Sequence, residues 1–379
     1  MDRPYDAVVV GGGTIGISCA WALAGAGMAV VVVDPDPGRA ASWVAAGMLA
    51  AVTEVHYTEE HLVALRVAAA RRWPAFAAAI EADAGADASY RACGTVVVDA
   101  DDGDRAFSDE LWALQRSLGL AVERLTARQV RTLEPTVAPG IRSGLLAGED
   151  HQVQTRRFLA AAQAAATARG VRWHRGAVDA VETAGGVVTG VRCGVETMAA
   201  SVVVLAAGCW SGTIGGLPDG VLPPVRPVKG QILRLAGDAA RPLLGRCLRG
   251  LVRGGSVYLV PRRDGSVVVG ATVEEAGFDT TVTAGAVYEL LRDARAVVPG
   301  VTELTLVEAR AGLRPGSPDN APVVGATPLD GLIVATGHYR NGILLSPLTA
   351  EAVAAVASGG EVPAEMVPFH PGRFAPVPT

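Results

Sequence analysis

The stretch from Asp6 to Asp34 places the tightest constraint on what this chain can fold into. A short apolar strand at residues 7–10 runs into a glycine-rich turn, a helix-like segment follows, and a second apolar strand covers residues 29–33. Strand, turn, helix and strand in this order predict a βαβ unit.

The glycines of the turn, Gly11, Gly13 and Gly16, stand in a G-x-G-x-x-G frame. Gly11 permits the tight turn, Gly13 lets backbone amides approach a pyrophosphate, and Gly16 lets the helix pack closely on the strand. Asp34 ends the second strand, where a carboxylate can accept hydrogen bonds from a ribose. The pattern predicts a bound dinucleotide and leaves NAD and FAD open, while Asp34 disfavours the 2′-phosphate of NADP.

Composition bounds the other possibilities. A chain of 379 residues with 50% hydrophobic side chains has room for about two domains with large cores. The net charge of −5 gives no basic surface for nucleic acid. Lys229 is the only lysine, and it does not stand in a Walker A motif.

The cysteines are five in number, scattered, and without metal-ligand spacing, so they predict buried thiols in a reducing compartment and no metal site. The first residues carry too much charge for a signal peptide, and no apolar run approaches ~18 residues. A soluble, cytoplasmic protein that does not bind membranes is expected. These cysteines are Cys19, Cys93, Cys193, Cys209 and Cys247.

Three further stretches are expected beside the cofactor. Small residues continue from Ser42 to Gly47, and a strand at 201–205 runs into Gly208. A strand at 332–335 leads into a polar loop and then a helix from Gly342, whose amides can neutralise charge on a partner.

Two residues elsewhere leave alternatives open. Tyr258 lies in the middle of a strand of a predicted hairpin with its turn at 264–265, and its phenol either packs in a core or points into a ligand cavity. His151 is placed in a loop before a helix at 155–168, where a turn or surface role is favoured over a catalytic one.

The chain resembles the FAD-dependent D-amino-acid oxidase superfamily, and within it the glycine oxidases of thiamine biosynthesis. The resemblance covers essentially the whole chain and is carried by the segments VVVGGGTIGIS, ASWVAAGML, PVKGQILRL, YLVPRRDGSVVVGAT, AGLRPGSPDNAPVVG and GHYRNGILLSP. It implies an α/β fold, with a Rossmann-like FAD-binding domain and an antiparallel, β-rich substrate domain. The FAD domain would be discontinuous, formed by residues 1–84, 146–220 and 308–379, and the substrate domain would take 85–145 and 221–307.

The resemblance also implies non-covalent FAD and a set of contacts to it. Residues 47–49 would lie along the cofactor, Val178 would meet the adenine, and residues 338–344 would surround the isoalloxazine. The expected cofactor contacts are Gly11, Gly13, Thr14, Ile15, Gly16, Asp34, Pro35, Ser42, Trp43, Gly47, Met48, Leu49, Val178, Gly208, His338, Tyr339, Arg340, Asn341, Gly342, Ile343 and Leu344.

By the same resemblance, Arg314 matches the arginine that binds the substrate carboxylate, and Tyr258 matches its phenol partner. Arg340 would lie close to the substrate, or would only position the flavin loop. An arginine offers a rigid, permanently charged fork that fits a carboxylate. Ser256 and Val273 replace larger side chains near the pocket, so a strict preference for glycine is not implied.

The implied reaction is FAD-dependent oxidation of glycine, sarcosine and small D-amino acids to an oxoacid, ammonia and hydrogen peroxide, with dioxygen as the second substrate. The imine formed from glycine would be handed to thiazole synthase, and a homo-oligomer is expected. The alternatives are a D-amino-acid dehydrogenase that passes electrons to a quinone, a sarcosine-type amine oxidase, and a flavoprotein with a scaffold role only.

Overall fold

The computed structural model describes residues 5–374. Within them, the strands are β1 (Tyr5–Val10), β2 (Val30–Val33), β3 (Met48–Leu49), β4 (Tyr90–Arg91), β5 (Thr95–Asp99), β6 (Glu123–Thr126), β7 (Ser143–Ala147), β8 (His151–Val153), β9 (Arg172–His174), β10 (Ala180–Ala184), β11 (Val187–Cys193), β12 (Glu196–Leu205), β13 (Arg226–Ala236), β14 (Cys247–Val252), β15 (Gly255–Pro261), β16 (Val267–Gly270), β17 (Thr305–Gly316), β18 (Val323–Ala326) and β19 (Leu332–Thr336). The helices are α1 (Thr14–Gly25), α2 (Ala41–Val44), α3 (Val63–Ala84), α4 (Asp102–Ser117), α5 (Ala127–Leu133), α6 (Thr155–Ala168), α7 (Ala284–Val297) and α8 (Gly342–Ser358).

The first sheet is built on the predicted βαβ unit, which the structure confirms as β1, α1 and β2. Five strands run parallel in the order β9-β2-β1-β12-β19. β18 adds an antiparallel edge beside β19, and the β10–β11 hairpin pairs with the first half of β12. The carboxyl ends of the parallel strands point to one edge, which is where open α/β sheets bind their ligands.

Alternate residues of β1 explain how this sheet is buried on both faces. Ala7 and Val9 pack into the core formed with α1, α3, α6 and α8. Val8 and Val10 pack into a second core on the opposite face, with residues of β10 and β11. Side chains on a strand alternate between faces, so a continuous apolar run fits a strand that is covered on both sides.

The helix α8, with the short turn before it, is long and apolar enough to cross a membrane by length and composition alone. Most of it is buried, and it packs against α1 and α3 in the core of the first sheet. A core helix passes the same test, and its position here accounts for its apolar sequence.

The second sheet has eight strands in the order β17-β13-β16-β15-β14-β5-β7-β6. It is mixed, because β14 and β5 run parallel while the other neighbours are antiparallel. The predicted antiparallel sheet is therefore corrected at this one pair. One face packs against α7, and the other faces the first sheet and contributes Tyr258 and Val260 to a small core with Val44 and Ala46.

His151 does not lie in a loop, as its sequence context predicts. It begins β8, the middle strand of a three-stranded sheet with β3 and β4. Its Nδ1 accepts a hydrogen bond from the backbone amide of Gly94 at 3.3 Å, which gives it a structural contact.

The predicted domain division stays a prediction, but two of its boundaries cut regular structure. The boundary at 145/146 falls inside β7, and the one at 307/308 falls inside β17. β17 pairs with β13 along its whole length, so the residues before and after position 308 belong to one strand of the second sheet.

Candidate active site

A cavity of about 1470 Å³, including its open mouth, is lined by residues of both sheets. It brings together most of the predicted site residues, namely Gly11, Gly13, Thr14, Ile15, Asp34, Ser42, Gly47, Met48, Gly208, His338, Tyr339, Arg340, Asn341, Gly342, Ile343 and Leu344, together with Tyr258 and Arg314. The roles of these residues remain predictions; their convergence on one cavity is an observation.

At one end of the cavity lies the N-terminus of α1, which begins at Thr14 with Gly13 as its N-cap. The amide of Thr14 donates to Ser42 Oγ at 3.0 Å, which joins the glycine turn to α2. Thr14 Oγ1 is buried and has no hydrogen-bond partner among the described residues. An orphaned hydroxyl at a helix N-terminus is suited to a phosphate oxygen.

Gly13 and Gly16 are glycines for different reasons. A Cβ on Gly16 would collide with the backbone oxygen of Gly11, so the contact of helix and strand requires glycine there. A Cβ on Gly13 would meet only Ser42 Oγ, at 3.5 Å. The protein itself therefore leaves the space in front of Gly13 free, as the approach of a pyrophosphate would require.

The carboxylate of Asp34 is fixed at the same end. Its two oxygens accept from the amides of Gly12, at 2.6 Å, and Asp36, at 2.7 Å. These bonds orient the carboxylate and leave lone pairs for a ribose hydroxyl.

Five predicted cofactor contacts do not line the cavity: Gly16, Pro35, Trp43, Leu49 and Val178. Pro35 is exposed, while Leu49 and Val178 pack in the two cores of the first sheet. The indole of Trp43 is sandwiched by the guanidinium groups of Arg39 and Arg156, at 4.0 and 4.4 Å from its centroid. Contacts from these residues to the cofactor stay predictions.

At the other end of the cavity, Arg314 is held by backbone oxygens rather than by a carboxylate. Its Nη1 donates to the carbonyls of Lys229, at 3.3 Å, and Thr272, at 3.1 Å. Its guanidinium lies so close over Gly230 that any side chain there would collide with it. Within residues 5–374, Arg314 takes part in no ion pair, so its charge is available to an anion in the cavity.

The segment that supplies Thr272 is anchored by the only lysine. Lys229 is 2% exposed, and its Nζ donates to Asp279 at 2.6 Å. The backbone of Lys229 also exchanges two hydrogen bonds with Glu274, at 2.9 and 3.0 Å. Residues 271–283 are thereby fixed on β13, and with them the carbonyl that orients Arg314.

Tyr258 lines the cavity and also packs against the small core with Val44 and Ala46, so both alternatives that its sequence context leaves open hold in part. Its neighbours Val257 and Leu259 face the core on the α7 side, so alternation along β15 turns Tyr258 to the other face. Its ring lies directly against Gly270. Burial raises the pKa of the phenol, so the hydroxyl stays protonated near neutral pH and can donate to an anion.

Residues 338–344 form a tight bend between β19 and α8. His338 is buried, and its Nε2 lies 3.0 Å from Thr349 Oγ1 in α8. Burial lowers the pKa of His338 to about 3, so the imidazole is neutral. Tyr339 adopts a φ of +47°, a conformation that costs a non-glycine residue energy and that concentrates at ligand-binding sites.

Arg340 differs from Arg314 in having countercharges. Its Nη2 lies 2.9 Å from both oxygens of Glu59, and its Nε lies 3.5 Å from Glu54 Oε2. Glu59 also pairs with the fully buried Arg66. These ion pairs tie the bend to residues 54–66 and favour the alternative that Arg340 positions the loop.

Glu54 is the main site residue that the sequence did not reveal. It lines the cavity, and Arg249 Nη1 donates to its Oε1 at 2.6 Å. Burial opposes its ionisation, but Arg249 and Arg340 outweigh burial and hold the pKa of Glu54 at about 2. The only signal for Glu54 in the sequence is an acidic residue within a run of small residues. Its partners Arg249 and Arg340 are distant in the sequence.

Comparison with known proteins agrees with this geometry. Residues 6–356 match the DAO family, described as FAD dependent oxidoreductase. A glycine oxidase from Pseudomonas putida is 33% identical over 97% of this chain and 98% of that protein. The hydrogen cyanide synthase subunit HcnC from Pseudomonas aeruginosa is 30% identical over 100% of this chain and 98% of that protein.

The crystal structure of a glycine oxidase from Geobacillus kaustophilus superposes with a TM-score of 0.90 at 31% identity, covering 98% of this chain and 99% of that one. The predicted α/β fold with a second, β-rich part is thereby confirmed, as are FAD as the cofactor and an oxidoreductase as the class of enzyme. The chain belongs to the DAO family of FAD-dependent oxidoreductases.

Proposed function

We propose that this enzyme oxidises glycine, sarcosine and small D-amino acids to the corresponding oxoacid, with release of ammonia or the free amine and hydrogen peroxide. The observation that carries the proposal is Arg314, a partly buried cation inside the cavity that has no countercharge among the described residues. An amino acid bound in the cavity would cover this charge and supply its partner in a carboxylate.

The substrate end of the cavity carries two donors suited to a carboxylate. Arg314 offers a two-pronged guanidinium, and Tyr258 offers a phenol that stays protonated. Glu54 lines the same cavity and is ionised, and its negative charge disfavours a second carboxylate on the substrate. Substrates with one carboxylate and a small side chain fit this arrangement best.

Among the described residues of the cavity, His338, Glu54 and Tyr258 are not poised to act as a general base near neutral pH. The pKa of His338 is about 3, that of Glu54 is about 2, and that of Tyr258 is raised. The amine must therefore lose its proton to solvent before the substrate reacts. FAD, when bound, supplies the oxidising power by accepting the electrons from the Cα–H bond.

The residues present fit that cofactor. The α1 N-terminus, with the unpartnered Thr14 hydroxyl, would hold the pyrophosphate, and Asp34 would hold the ribose. The start of α8 also lines the cavity and would stabilise negative charge on the ring system. Binding without a covalent bond is part of the proposal.

An amino-acid panel assayed for peroxide tests the function. We expect glycine, sarcosine and D-alanine to give peroxide and L-alanine to give none, because fixing the carboxylate and amine leaves only one α-hydrogen facing the flavin. Comparable rates on D- and L-alanine would overturn this geometry.

The same assay separates the alternatives. Flavin reduction by D-alanine without oxygen consumption would favour a D-amino-acid dehydrogenase, and a marked preference for sarcosine would favour an amine oxidase. Similarity to HcnC over the whole chain favours one further candidate, so cyanide should be measured with glycine as substrate. A flavin that no amino acid reduces would leave only a scaffold role.

We further propose that the imine formed from glycine passes to thiazole synthase. An imine hydrolyses in water, so a consumer of the imine must compete with hydrolysis. Adding thiazole synthase and its other substrates should lower the glyoxylate yield without lowering the peroxide yield. Equal glyoxylate yields would contradict the hand-off.

A further inference from the structure

Two of the five cysteines, which are 154 positions apart in the sequence, lie side by side at one edge of the strand pair β5 and β14. The Sγ atoms of Cys93 and Cys247 are 4.0 Å apart. Cys247 begins β14 and is fully buried, whereas Cys93 is half-buried and lies in the link between β4 and β5. The expectation of five buried thiols is therefore corrected for Cys93, which is only half-buried, while Cys247 is buried as predicted.

The surroundings of the pair favour a thiolate on Cys93 and not on Cys247. Gln152 Nε2 donates to Cys93 Sγ at 3.5 Å. The contact with Cys247 and this amide lower the pKa of Cys93, while the same contact and burial raise the pKa of Cys247. One half-buried nucleophile beside one fully buried thiol is the arrangement of a reactive and a resolving cysteine.

The position of Cys93 outside regular structure favours an approach of the two sulfur atoms. They must approach by about 2 Å to reach the length of an S–S bond, about 2.05 Å. Cys93 lies outside regular structure and precedes Gly94, whose φ is +71°. Cys247 is fixed, since its amide donates to the Gly94 carbonyl at 3.2 Å. Movement of Cys93 alone can therefore close the gap.

We propose that Cys93 and Cys247 form a reversible disulfide driven by hydrogen peroxide. The Cys93 thiolate attacks one peroxide oxygen, an S–O bond forms, the O–O bond breaks, and hydroxide leaves and becomes water. Cys247 then loses its proton and attacks the Cys93 sulfur, an S–S bond forms, and the second oxygen leaves as water. Two thiols are oxidised by two electrons, and one peroxide is reduced to two waters.

The pair is connected to the cofactor end of the fold. Gln152, which donates to Cys93, accepts from Arg262 Nη1 at 2.6 Å. Arg262 in turn donates to the backbone oxygen of Ala46, which lines the cavity. These hydrogen bonds join the cysteine pair to the cavity in which the proposed reaction would produce peroxide. The chemistry of the pair itself requires only peroxide, from any source.

The test uses the FAD-loaded protein without any amino acid, treated with a few equivalents of added peroxide, alkylated, unfolded and mapped by mass spectrometry. We expect loss of two of the five thiols, a decrease of about 2 Da, and one linked peptide that joins Cys93 to Cys247. Dithiothreitol should restore all five thiols. Because the peroxide is added, this result is independent of whether amino acids are oxidised.

Variants sharpen the assignment. In Cys247→Ser, Cys93 should become a sulfenic acid, about 16 Da heavier and trapped by dimedone, with no linked peptide. In Cys93→Ser, no thiol should be lost. Cys193→Ser, which removes a cysteine of the first sheet, should still form the linked peptide. Five intact thiols in the wild type, or Cys93 overoxidised beside a free Cys247, would overturn the proposal, and the wild-type map decides this without any variant.

Discussion

The contrast between Arg314 and Arg340 shows how much a countercharge decides at the scale of single residues. Both line the cavity, yet Arg340 is paired with Glu54 and Glu59, while among residues 5–374 only two carbonyls orient Arg314. An arginine whose charge is neutralised by carboxylates of the protein serves to hold parts of the structure together. Leaving one without a partner reserves it for a ligand.

Replacing Arg314 by alanine should raise the KM for glycine by at least about 30-fold, because truncating one partner of a buried charge pair costs about 2–5 kcal/mol. Arg314→Lys should recover only part of the loss, since an ammonium lacks the two-pronged geometry. Steady-state kinetics with a flavin-content assay would measure both effects.

The matched control is Arg310→Ala on the same strand, where the side chain is 51% exposed and pairs with Glu308 at the surface. It should leave the KM unchanged. Normal turnover by Arg314→Ala, or loss of FAD in place of affinity for glycine, would contradict the assignment of the pocket.

Asp99 gives a prediction for stability against pH. It is 7% exposed, and its Oδ1 has no hydrogen-bond partner among the described residues. Burial raises the pKa of Asp99 to about 6, against the hydrogen bond from Ser108, which lowers it. Between about pH 4 and pH 6 the folded state retains a proton that the unfolded state has lost, so this residue's contribution to stability falls as the pH rises.

Asp99→Asn should therefore raise the free energy of unfolding at pH 7.5, by roughly 1–3 kcal/mol, and by less at pH 4.5. Urea unfolding at the two pH values measures the difference. The exposed Asp219, changed to asparagine, serves as the control and should show no such dependence. A less stable Asp99→Asn protein at pH 7.5 would show that the charged form is stabilised in the fold.

At the scale of elements, the β1–α1–β2 unit separates the demands of folding from those of binding. Gly16 is required by the packing of α1 on β1, and Gly13 has free space in front of it. The same motif therefore carries one glycine for the fold and one for the ligand.

Gly13→Val should fold but lose FAD, because its side chain would fill the space of the pyrophosphate. Gly16→Val should lower the yield of folded protein, because its side chain has no space at all. Circular dichroism and absorbance at flavin wavelengths distinguish the two. A folded and fully yellow Gly13→Val protein would show that the fingerprint does not hold a dinucleotide.

Elements defined by local pattern could be predicted from the sequence, and elements defined by distant partners could not. The βαβ unit, α6 at 155–168 and the hairpin of β15 and β16 were predicted because periodicity and turn residues are local signals. The three-residue β8 was missed, because it exists only through pairing with β3 and β4.

The residues of the site divide in the same way, into those with a signal in the sequence and those defined by distant partners. Gly13 could be named from its sequence motif and Arg314 from the family resemblance, and both lie on the cavity. Glu54 could not, because its partners Arg249 and Arg340 lie 195 and 286 positions away and no local pattern marks an ion pair. The contact of Cys93 with Cys247 was missed for the same reason.

At the scale of the whole molecule, the cavity exists because two sheets contribute to it. The first sheet supplies the α1 N-terminus and the bend before α8, and the second supplies Tyr258 and Arg314. The groups proposed to hold the cofactor and those proposed to bind the substrate thus come from separate sheets, which meet at this cavity.

The walls of the cavity also predict how the cofactor is held. Among the described residues lining it, Cys209 is the only cysteine, and burial raises the pKa of its thiol to about 12. A protonated thiol is a poor nucleophile, so no covalent bond to the flavin is expected. Acid precipitation should leave a colourless pellet and free FAD in the supernatant, as should precipitation of Cys209→Ser. A yellow pellet would contradict non-covalent binding.

Lys229 carries the only ε-amino group in the chain, and because this residue is buried, the native fold protects the amino group from reagents in solution. A pulse of an amine-reactive ester cannot acylate this nitrogen while it is bonded to Asp279 and is 2% exposed. Acylation of Lys229 therefore reports each opening of residues 271–283. The labelling rate of the peptide that contains Lys229 measures how often this segment on the substrate side of the enzyme opens.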